Sequence, residues 1–330
     1  MPQHYVMKNI PGLSDLTKLI LKALPPDTAQ AMAELLEDHP EIFVAGCQVK
    51  HRALERVLGG HVPANDAGFY DWFEIAIAWY FTQNVATFDS DFATELCKTS
   101  FTNGFPVREL ERLLGNPVYI PLDTPKDSVL GYVLCVDMAG WNDTSKKTSG
   151  VCARLDFMPV HSFDFLKAFG FILEVKSFGL ICQDGGETEP DALKETIEYF
   201  KDQVLDDSRV AEEIINKIVY MLSDEPEAIE WRHEVLDFVP QIRKHKRRAS
   251  TIYAPRQPRV KRFGEAFGTE IRQASAAMGT DRSVRPHIRS AHWHTYLVGE
   301  GRSKRVIRWL KPIFVHSRQA EPAATRIPVY

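Results

Sequence analysis

Histidine and arginine are concentrated in residues 284–316, which read VRPHIRSAHWHTYLVGEGRSKRVIRWLKPIFVH. Four of the eleven histidines of the chain lie in this window, namely His287, His292, His294 and His316. Arginine guanidinium groups bind phosphate through paired hydrogen bonds, and imidazole and phenol rings contact phosphates or stack on bases. These residue types therefore favour the binding of a polyanion, and of RNA in particular.

The spacing in this window predicts two strands joined by a turn. Pro286 disfavours helix at the residue before it, and side chains two apart in a strand share a face. Two sets of side chains are then expected to point together: Arg285, His287 and Arg289, and His292, His294 and Tyr296. Residues 299–302 predict the turn and 305–310 the returning strand, with Trp293 and Trp309 packed in the core behind. The cations of the returning strand that join this set are Arg305 and Arg308.

Other uses of His292 and His294 are open. Imidazoles titrate near neutral pH, so the two residues could act as acid and base in metal-independent RNA cleavage. A His-x-His pair can also bind a metal, although no Cys, Asp or Glu lies close in sequence to complete the shell. The histidines could equally hold a hairpin together by hydrogen bonds. We expect a protein that is not an enzyme and has no metal or small-molecule cofactor, with the ribonuclease as the alternative.

Charge is divided unevenly along the 330 residues. Residues 1–240 carry 20 Lys and Arg against 39 Asp and Glu, a net charge of -19, whereas residues 241–330 carry 20 against 5, a net charge of +15. Such asymmetry indicates either a nucleic-acid surface or two halves that attract each other. The basic half opens with a run that is either a solvated connector or a polyanion-binding arm. Its members are Arg243, Lys244, Lys246, Arg247 and Arg248.

The hydrophobic pattern predicts an α+β fold. Residues 1–115 show helical spacing, residues 116–185 contain β-branched and aromatic runs, and residues 186–240 return to helical spacing. Successive strands without helices between them favour an antiparallel sheet. We therefore expect an acidic domain over 1–240, a basic linker over 241–262 and a basic module with a β-hairpin over 263–330.

The remaining features bound the compartment. The five cysteines are widely spaced and form no CxxC pair, which favours free thiols in a reducing compartment. No signal-peptide pattern, membrane-length apolar run or Gly-rich phosphate loop is present in the sequence. We expect a cytoplasmic protein without a membrane partner.

The carboxy-terminal third resembles a known family. The shared positions there are Arg285-Pro-His-Ile-Arg289, His292-Trp-His294, Tyr296, Gly299, Arg308-Trp309, Pro312 and Val315. Others are the segment Phe267-Gly-x-Glu-Ile-Arg272 and the apolar Ile218–Leu222 followed by Glu225-Pro226. This set is similar to the type V-A anti-CRISPR family whose members block production of the type V-A effector nuclease. Ser290 stands where relatives tend to have a second arginine, and Leu297 where they tend to have tryptophan.

The resemblance implies a mechanism. Members of the family recognise the amino-terminal segment of the nuclease as it emerges during translation, and the encoding mRNA is then lost. On that basis we expect residues 1–240 to bind the target protein or nascent peptide, and residues 241–318 to contact RNA or the ribosome. The competing interpretation is an interaction protein whose basic half docks onto its own acidic half.

Overall fold

The structure, a computed structural model, describes somewhat more than half of the chain. The described residues are 10–14, 16–17, 75–76, 78–99, 107–113, 116–126, 129–143, 148–161, 176–183, 208–236, 241–245, 248–253, 255–278 and 287–315. Much of the helical pattern predicted for residues 1–115 and 186–240 lies outside these ranges.

A six-stranded sheet forms the centre of the described part. In chain order its strands are β1 (Asn84–Phe88), β2 (Val118–Lys126), β3 (Val129–Asp143), β4 (Thr148–His161), β5 (Lys176–Gln183) and β8 (Arg259–Phe263). Their order across the sheet is β5-β4-β3-β2-β1-β8. With the helices described next, this sheet confirms the α+β class.

The sheet is mixed, whereas the sequence predicts an antiparallel one. Strands β2 to β5 follow one another as antiparallel neighbours, as expected. β1 runs parallel to both β2 and β8. A parallel pair needs a crossover connection, and helical residues between β1 and β2 supply it. On its other side β1 pairs with β8, which is about half the chain away in sequence. A local sequence pattern therefore does not predict this pairing.

Several helices in the described ranges accompany the sheet. They are α1 (Ser90–Cys97), the 3₁₀ helix Val107–Leu113, α2 (Ser208–Leu222), α3 (Pro226–Leu236) and α4 (Glu265–Met278). The side chain of Asp89 caps α1 by accepting the N–H groups of Asp91 and Phe92, as an N-cap aspartate does. α3 begins at Pro226, where proline suits the first turn of a helix.

The described residues also form three separate antiparallel strand pairs. They are β6 (Gln241–His245) with β7 (Arg248–Tyr253), β9 (His287–Arg289) with β12 (Ile313–Val315), and β10 (His292–Val298) with β11 (Lys304–Leu310). Residues 241–262, predicted as a basic linker, therefore contain β6, β7 and most of β8. Strand β8 lies in the main sheet, where it pairs with β1, and Phe263 at its end is buried in the core.

One aromatic cluster connects residues from both halves of the sequence. The ring of Trp309 lies 5.1 Å from the rings of Phe92 and of Phe267, centroid to centroid. Tyr220 lies 4.8 Å from Phe92 and 5.8 Å from Phe263. Edge-to-face pairs of this kind contribute about 0.5–1.5 kcal/mol each beyond their buried area. The carboxy-terminal strands therefore pack into the same core as α1 and α2.

No helix in the described ranges combines the length and the apolar character that crossing a membrane requires.

Candidate nucleic-acid interface

The β10–β11 hairpin carries the residues that the sequence singled out. In its register Trp293 lies opposite Trp309 and His294 opposite Arg308. His292 is exposed and His294 and Tyr296 are partly exposed, whereas Trp293 is 5% exposed. The prediction that the two histidines and the tyrosine share one face of a strand, with Trp293 buried behind, is confirmed. We call this side the outer face; it consists of His292, His294, Tyr296, Val298, Lys304, Val306, Arg308 and Leu310.

Two indole hydrogen bonds fix the orientation of the hairpin. The Nε1–H of Trp293 donates to Oδ1 of Asn216 on α2 at 3.2 Å. The Nε1–H of Trp309 donates to Oγ1 of Thr99, just after α1, at 3.0 Å. A buried indole that makes its hydrogen bond keeps both its apolar contacts and its polar group satisfied. These contacts hold the outer face away from the core.

Carboxylates from the α2–α3 turn cover the far edge of β11. The N–H of Ile307 donates to the side chain of Asp224 at 2.8 Å, and the N–H of Asp224 donates to the carbonyl of Ile307 at 2.8 Å. The N–H of Trp309 donates to Oε1 of Glu225 at 3.2 Å. The turn thereby satisfies the backbone of an edge strand that would otherwise be exposed.

Two arginines hold this turn in place. Arg232 is 6% exposed and donates to the carbonyls of Met221 and Ser223 at 2.7 and 2.6 Å. Arg112 donates to the carbonyl of Leu222 at 3.3 Å. Cations suit the carboxyl end of a helix, where carbonyls are left without intrahelical partners. Burial lowers the pKa of Arg232 to about 10, and the nearby Arg112 acts in the same direction.

Glu225 also faces a cation of the outer face. Its Oε1 lies 3.9 Å from a guanidinium nitrogen of Arg308. Burial raises the pKa of the Glu225 carboxyl above its ordinary value, while Arg308 and the N–H of Trp309 oppose that shift. An anion that binds Arg308 must therefore compete with Glu225.

The rest of the outer face offers aromatic and cationic groups. The ring of His294 packs edge to face on Tyr296, with 4.3 Å between centroids. Lys304 and, at the end of the hairpin, Arg302 are exposed, and no ion pair in the described ranges involves either. No described carboxylate hydrogen-bonds the imidazole of His292 or of His294. This combination suits contact with phosphates and stacking against bases.

The other predicted site residues are placed by backbone alone or lie outside the described ranges. Arg285, Lys246 and Arg247 are outside. The backbone positions are Arg243 and Lys244 in β6, Arg248 in β7, His287 and Arg289 in β9, and Arg305 in β11. His287 and Arg289 lie two residues apart in β9, opposite Val315 and Ile313. The structure therefore brings together His292, His294, Tyr296 and Arg308, and leaves the remaining set untested.

Some cations of the basic half are paired with acids of residues 1–240. Lys261 lies 2.6 Å from Glu230, and Arg308 lies near Glu225 as described. Arg272 on α4 lies 2.9 Å from Asp89 and 2.6 Å from Asp91. Attraction between the two halves thus accounts for part of the charge asymmetry. Among the described residues of the outer face, only Arg308 takes part in such an ion pair.

Sequence reasoning did not single out the residues that position the hairpin. Asp224, Asn216 and Thr99 hold its backbone and indoles, but each is a common polar residue far away in sequence. Glu225-Pro226 carried the only signal, as part of the family resemblance. Among the described residues, no group of three or more histidine, cysteine or acidic side chains is arranged to hold a metal ion.

Residues 86–317 match the AcrVA2-like family, the anti-CRISPR type V subtype A2 family. The chain belongs to this family. The resemblance to a type V-A anti-CRISPR family is thereby confirmed. No match was found among curated proteins.

About half of the positions that carry the family resemblance and have a described burial lie in the core. Ile218–Leu222 is buried in α2, and Phe267, Trp293 and Trp309 belong to the same hydrophobic cluster. The exposed or partly exposed members include His292, His294, Tyr296 and Arg308 on the outer face. Both departures from the family pattern, Ser290 and Leu297, are exposed, so they leave the AcrVA2-like core intact.

Proposed function

We propose that this AcrVA2-like protein is an adaptor that acts in the cytoplasm on the production of its target protein. It binds the nascent amino-terminal segment of a type V-A effector nuclease, and the outer face of the β10–β11 hairpin contacts RNA, free or within the ribosome. Loss of the encoding mRNA follows. Family membership supports the anti-CRISPR role, and the RNA contact rests on the geometry of the outer face.

The observation that carries the RNA contact is the composition of the two faces of one hairpin. The inner face buries two tryptophans against α1 and α2, whereas the outer face presents imidazole, phenol and guanidinium groups. A β-surface with aromatic rings and flanking cations is the usual way in which single-stranded RNA is held. The indole hydrogen bonds of Trp293 and Trp309 fix the orientation of this surface.

Charge at the outer face supports the same partner. Lys304 and Arg302 extend the cationic surface from Arg308 toward the hairpin turn. Each phosphate that such a cation neutralises releases counterions, which favours binding most at low salt. Glu225 at the edge limits Arg308 to anions that compensate for the lost ion pair. We infer that phosphates bind mainly toward the turn and bases stack near His294 and Tyr296.

The adaptor test follows mRNA in cells that produce a type V-A nuclease. The Arg302→Gln/Lys304→Gln variant removes two positive charges from the hairpin. Among the described residues, neither side chain makes a hydrogen bond that the substitution would break. We expect it to restore nuclease mRNA to at least half of the level without the anti-CRISPR, as quantified by reverse transcription and PCR. The Arg256→Gln/Arg262→Gln variant removes the same charge elsewhere and is expected to act as wild type. Equal mRNA loss with all three proteins would contradict the proposal.

The alternative, a ribonuclease that uses His292 and His294, is tested with purified protein. General acid–base catalysis contributes about 10²–10⁴-fold to a chemical step, so His294→Ala would abolish cleavage while binding stayed nearly intact. For an adaptor we expect no cleavage by the wild-type protein alone, and a parallel loss of RNA binding and of mRNA reduction in the variant. Cleavage by purified wild type that His294→Ala abolishes would establish the enzyme.

A further inference from the structure

The backbone of β11 hydrogen-bonds on both of its edges. Ile307 directs its N–H and its carbonyl to Asp224, away from β10. Backbone groups of successive residues in a strand point to opposite edges. The N–H and carbonyl groups of Val306 and Arg308 therefore point toward β10 and form the hydrogen bonds between the two strands.

The backbone directions of β10 follow from the same register. Val306 and Arg308 lie opposite Tyr296 and His294, so these pairs exchange the ladder hydrogen bonds. Thr295 and Leu297 then direct their N–H and carbonyl groups to the other side of β10. Among the described residues, no hydrogen bond reaches the backbone of Thr295 or Leu297 on that side. We call this side the Thr295–Leu297 edge.

Side chains beside this edge are apolar and cationic. Leu297 is 50% exposed and Val298 is 39% exposed, and they lie on opposite faces of β10. Large apolar side chains beside an unpaired strand edge favour a further strand, because the added strand buries them. Arg302 and Lys304, exposed at the same end of the hairpin, exceed the single acid Glu300. The edge is therefore complementary to an extended segment with apolar side chains at two neighbouring positions, one on each face, and with an acidic residue at the end nearest the turn.

We propose that the Thr295–Leu297 edge binds an extended peptide segment of a protein partner as a third strand beside β10. Alternating N–H and carbonyl groups pair with another peptide backbone, whereas RNA has no matching alternation. Leu297 and Val298 contact two neighbouring side chains of the peptide, one on each face, and Arg302 and Lys304 contact its acidic end. The inference goes beyond the proposed RNA contact, since it concerns an edge of the hairpin and not its outer face.

The test uses the full-length protein and peptides selected from a phage-displayed library of random sequences about ten residues long. We expect enriched peptides with apolar residues at two neighbouring positions and Asp or Glu at one end. Leu297→Pro removes the outward N–H and leaves the β10–β11 ladder unbroken, because proline is tolerated where the N–H faces away from the partner strand. Binding of the selected peptide, measured by fluorescence anisotropy, is expected to fall about tenfold, as for one backbone hydrogen bond.

Leu297→Thr is the matched control, since it shortens the apolar side chain and keeps the N–H. We expect it to weaken binding less than Leu297→Pro does. A second measurement does not depend on the folding of a variant. N-methylation of the alternate peptide residues whose N–H groups point toward β10 is expected to abolish binding to the wild-type protein. N-methylation of the residues between them is expected to change the affinity by no more than about threefold.

Four results would overturn the proposal. They are the absence of any selected peptide, equal binding by wild type and Leu297→Pro, equal effects of N-methylation at both sets of positions, and a dimer in sedimentation velocity that Leu297→Pro dissociates. The last result would assign the edge to a second copy of this chain. RNA binding by wild type and by Leu297→Pro is measured in parallel. If no peptide binds while RNA binding is intact, this inference is wrong and the proposed function is unaffected.

Discussion

Replacing Asp224 by alanine removes the carboxylate that accepts the N–H of Ile307 at 2.8 Å. Ile307 is 5% exposed, so its N–H is left without a partner away from solvent. Loss of a hydrogen bond to a charged group costs about 1.5–3 kcal/mol. Asp224 lies between the carboxyl end of α2 and the amino end of α3, so the effects of its charge on the two helix dipoles oppose each other. We expect Asp224→Ala to destabilise the fold by about 2 kcal/mol.

For a chain of this size the unfolding entropy is about 0.7 kcal/mol per kelvin, so this loss lowers Tm by about 3 °C. Asp224→Asn keeps an oxygen acceptor for Ile307 and is expected to lose about half as much. Thermal unfolding followed by circular dichroism measures both shifts. Hydrogen exchange detected by mass spectrometry should show faster exchange in residues 304–310 of the alanine variant. Unchanged exchange in that segment would refute the idea that the α2–α3 turn holds the hairpin.

Three further outcomes follow from the same contacts. Gly264→Ala places a Cβ inside the space of the Phe92 ring at a φ of +74° and should cost at least about 3 kcal/mol. Gly301→Ala, with a φ of +65° and no atom within 4 Å, should cost only about 1–2 kcal/mol in urea unfolding. Since burial raises the pKa of Glu225, the folded chain takes up that proton at higher pH than the unfolded chain. The stability of wild type relative to Glu225→Gln should therefore increase as pH falls from about 7 to about 5. If the difference between the urea midpoints of the two proteins is the same at both pH values, the prediction is wrong. Burial raises the pKa of Cys97 to about 12, so peptide mapping after iodoacetamide at about pH 8 should find this thiol unmodified in the native protein and alkylated in urea.

Local patterns predicted the parts of the fold that depend on neighbours in sequence. The alternation in His292–Tyr296 predicted which side chains are buried, because a strand has a period of two. Helical spacing predicted helix in residues 186–240, where α2 and α3 lie. The tryptophans carried most of this information, since a large apolar residue must find a core.

Long-range pairings could not be predicted in the same way. Thr87 on β1 hydrogen-bonds the carbonyl of Lys261 on β8 across 174 residues, and neither five-residue strand carries a distinguishing pattern. Asp224 reaches the backbone of Ile307, a contact that no side-chain pattern records. The net charge of residues 241–330 overstates the cations available to a ligand, because acids of the first half pair with Lys261, Arg272 and Arg308.

The most direct test of the RNA contact is the salt dependence of binding to a fluorescein-labelled single-stranded RNA of about 20 nucleotides. Three cations on or beside the outer face, Arg302, Lys304 and Arg308, predict a slope of about -2 in log K against log salt. Affinity should then fall about twentyfold between about 50 and about 200 mM KCl. Arg302→Gln/Lys304→Gln should reduce the slope to about -0.7. An affinity that does not change with salt, or a variant that binds with the wild-type slope, would contradict the account.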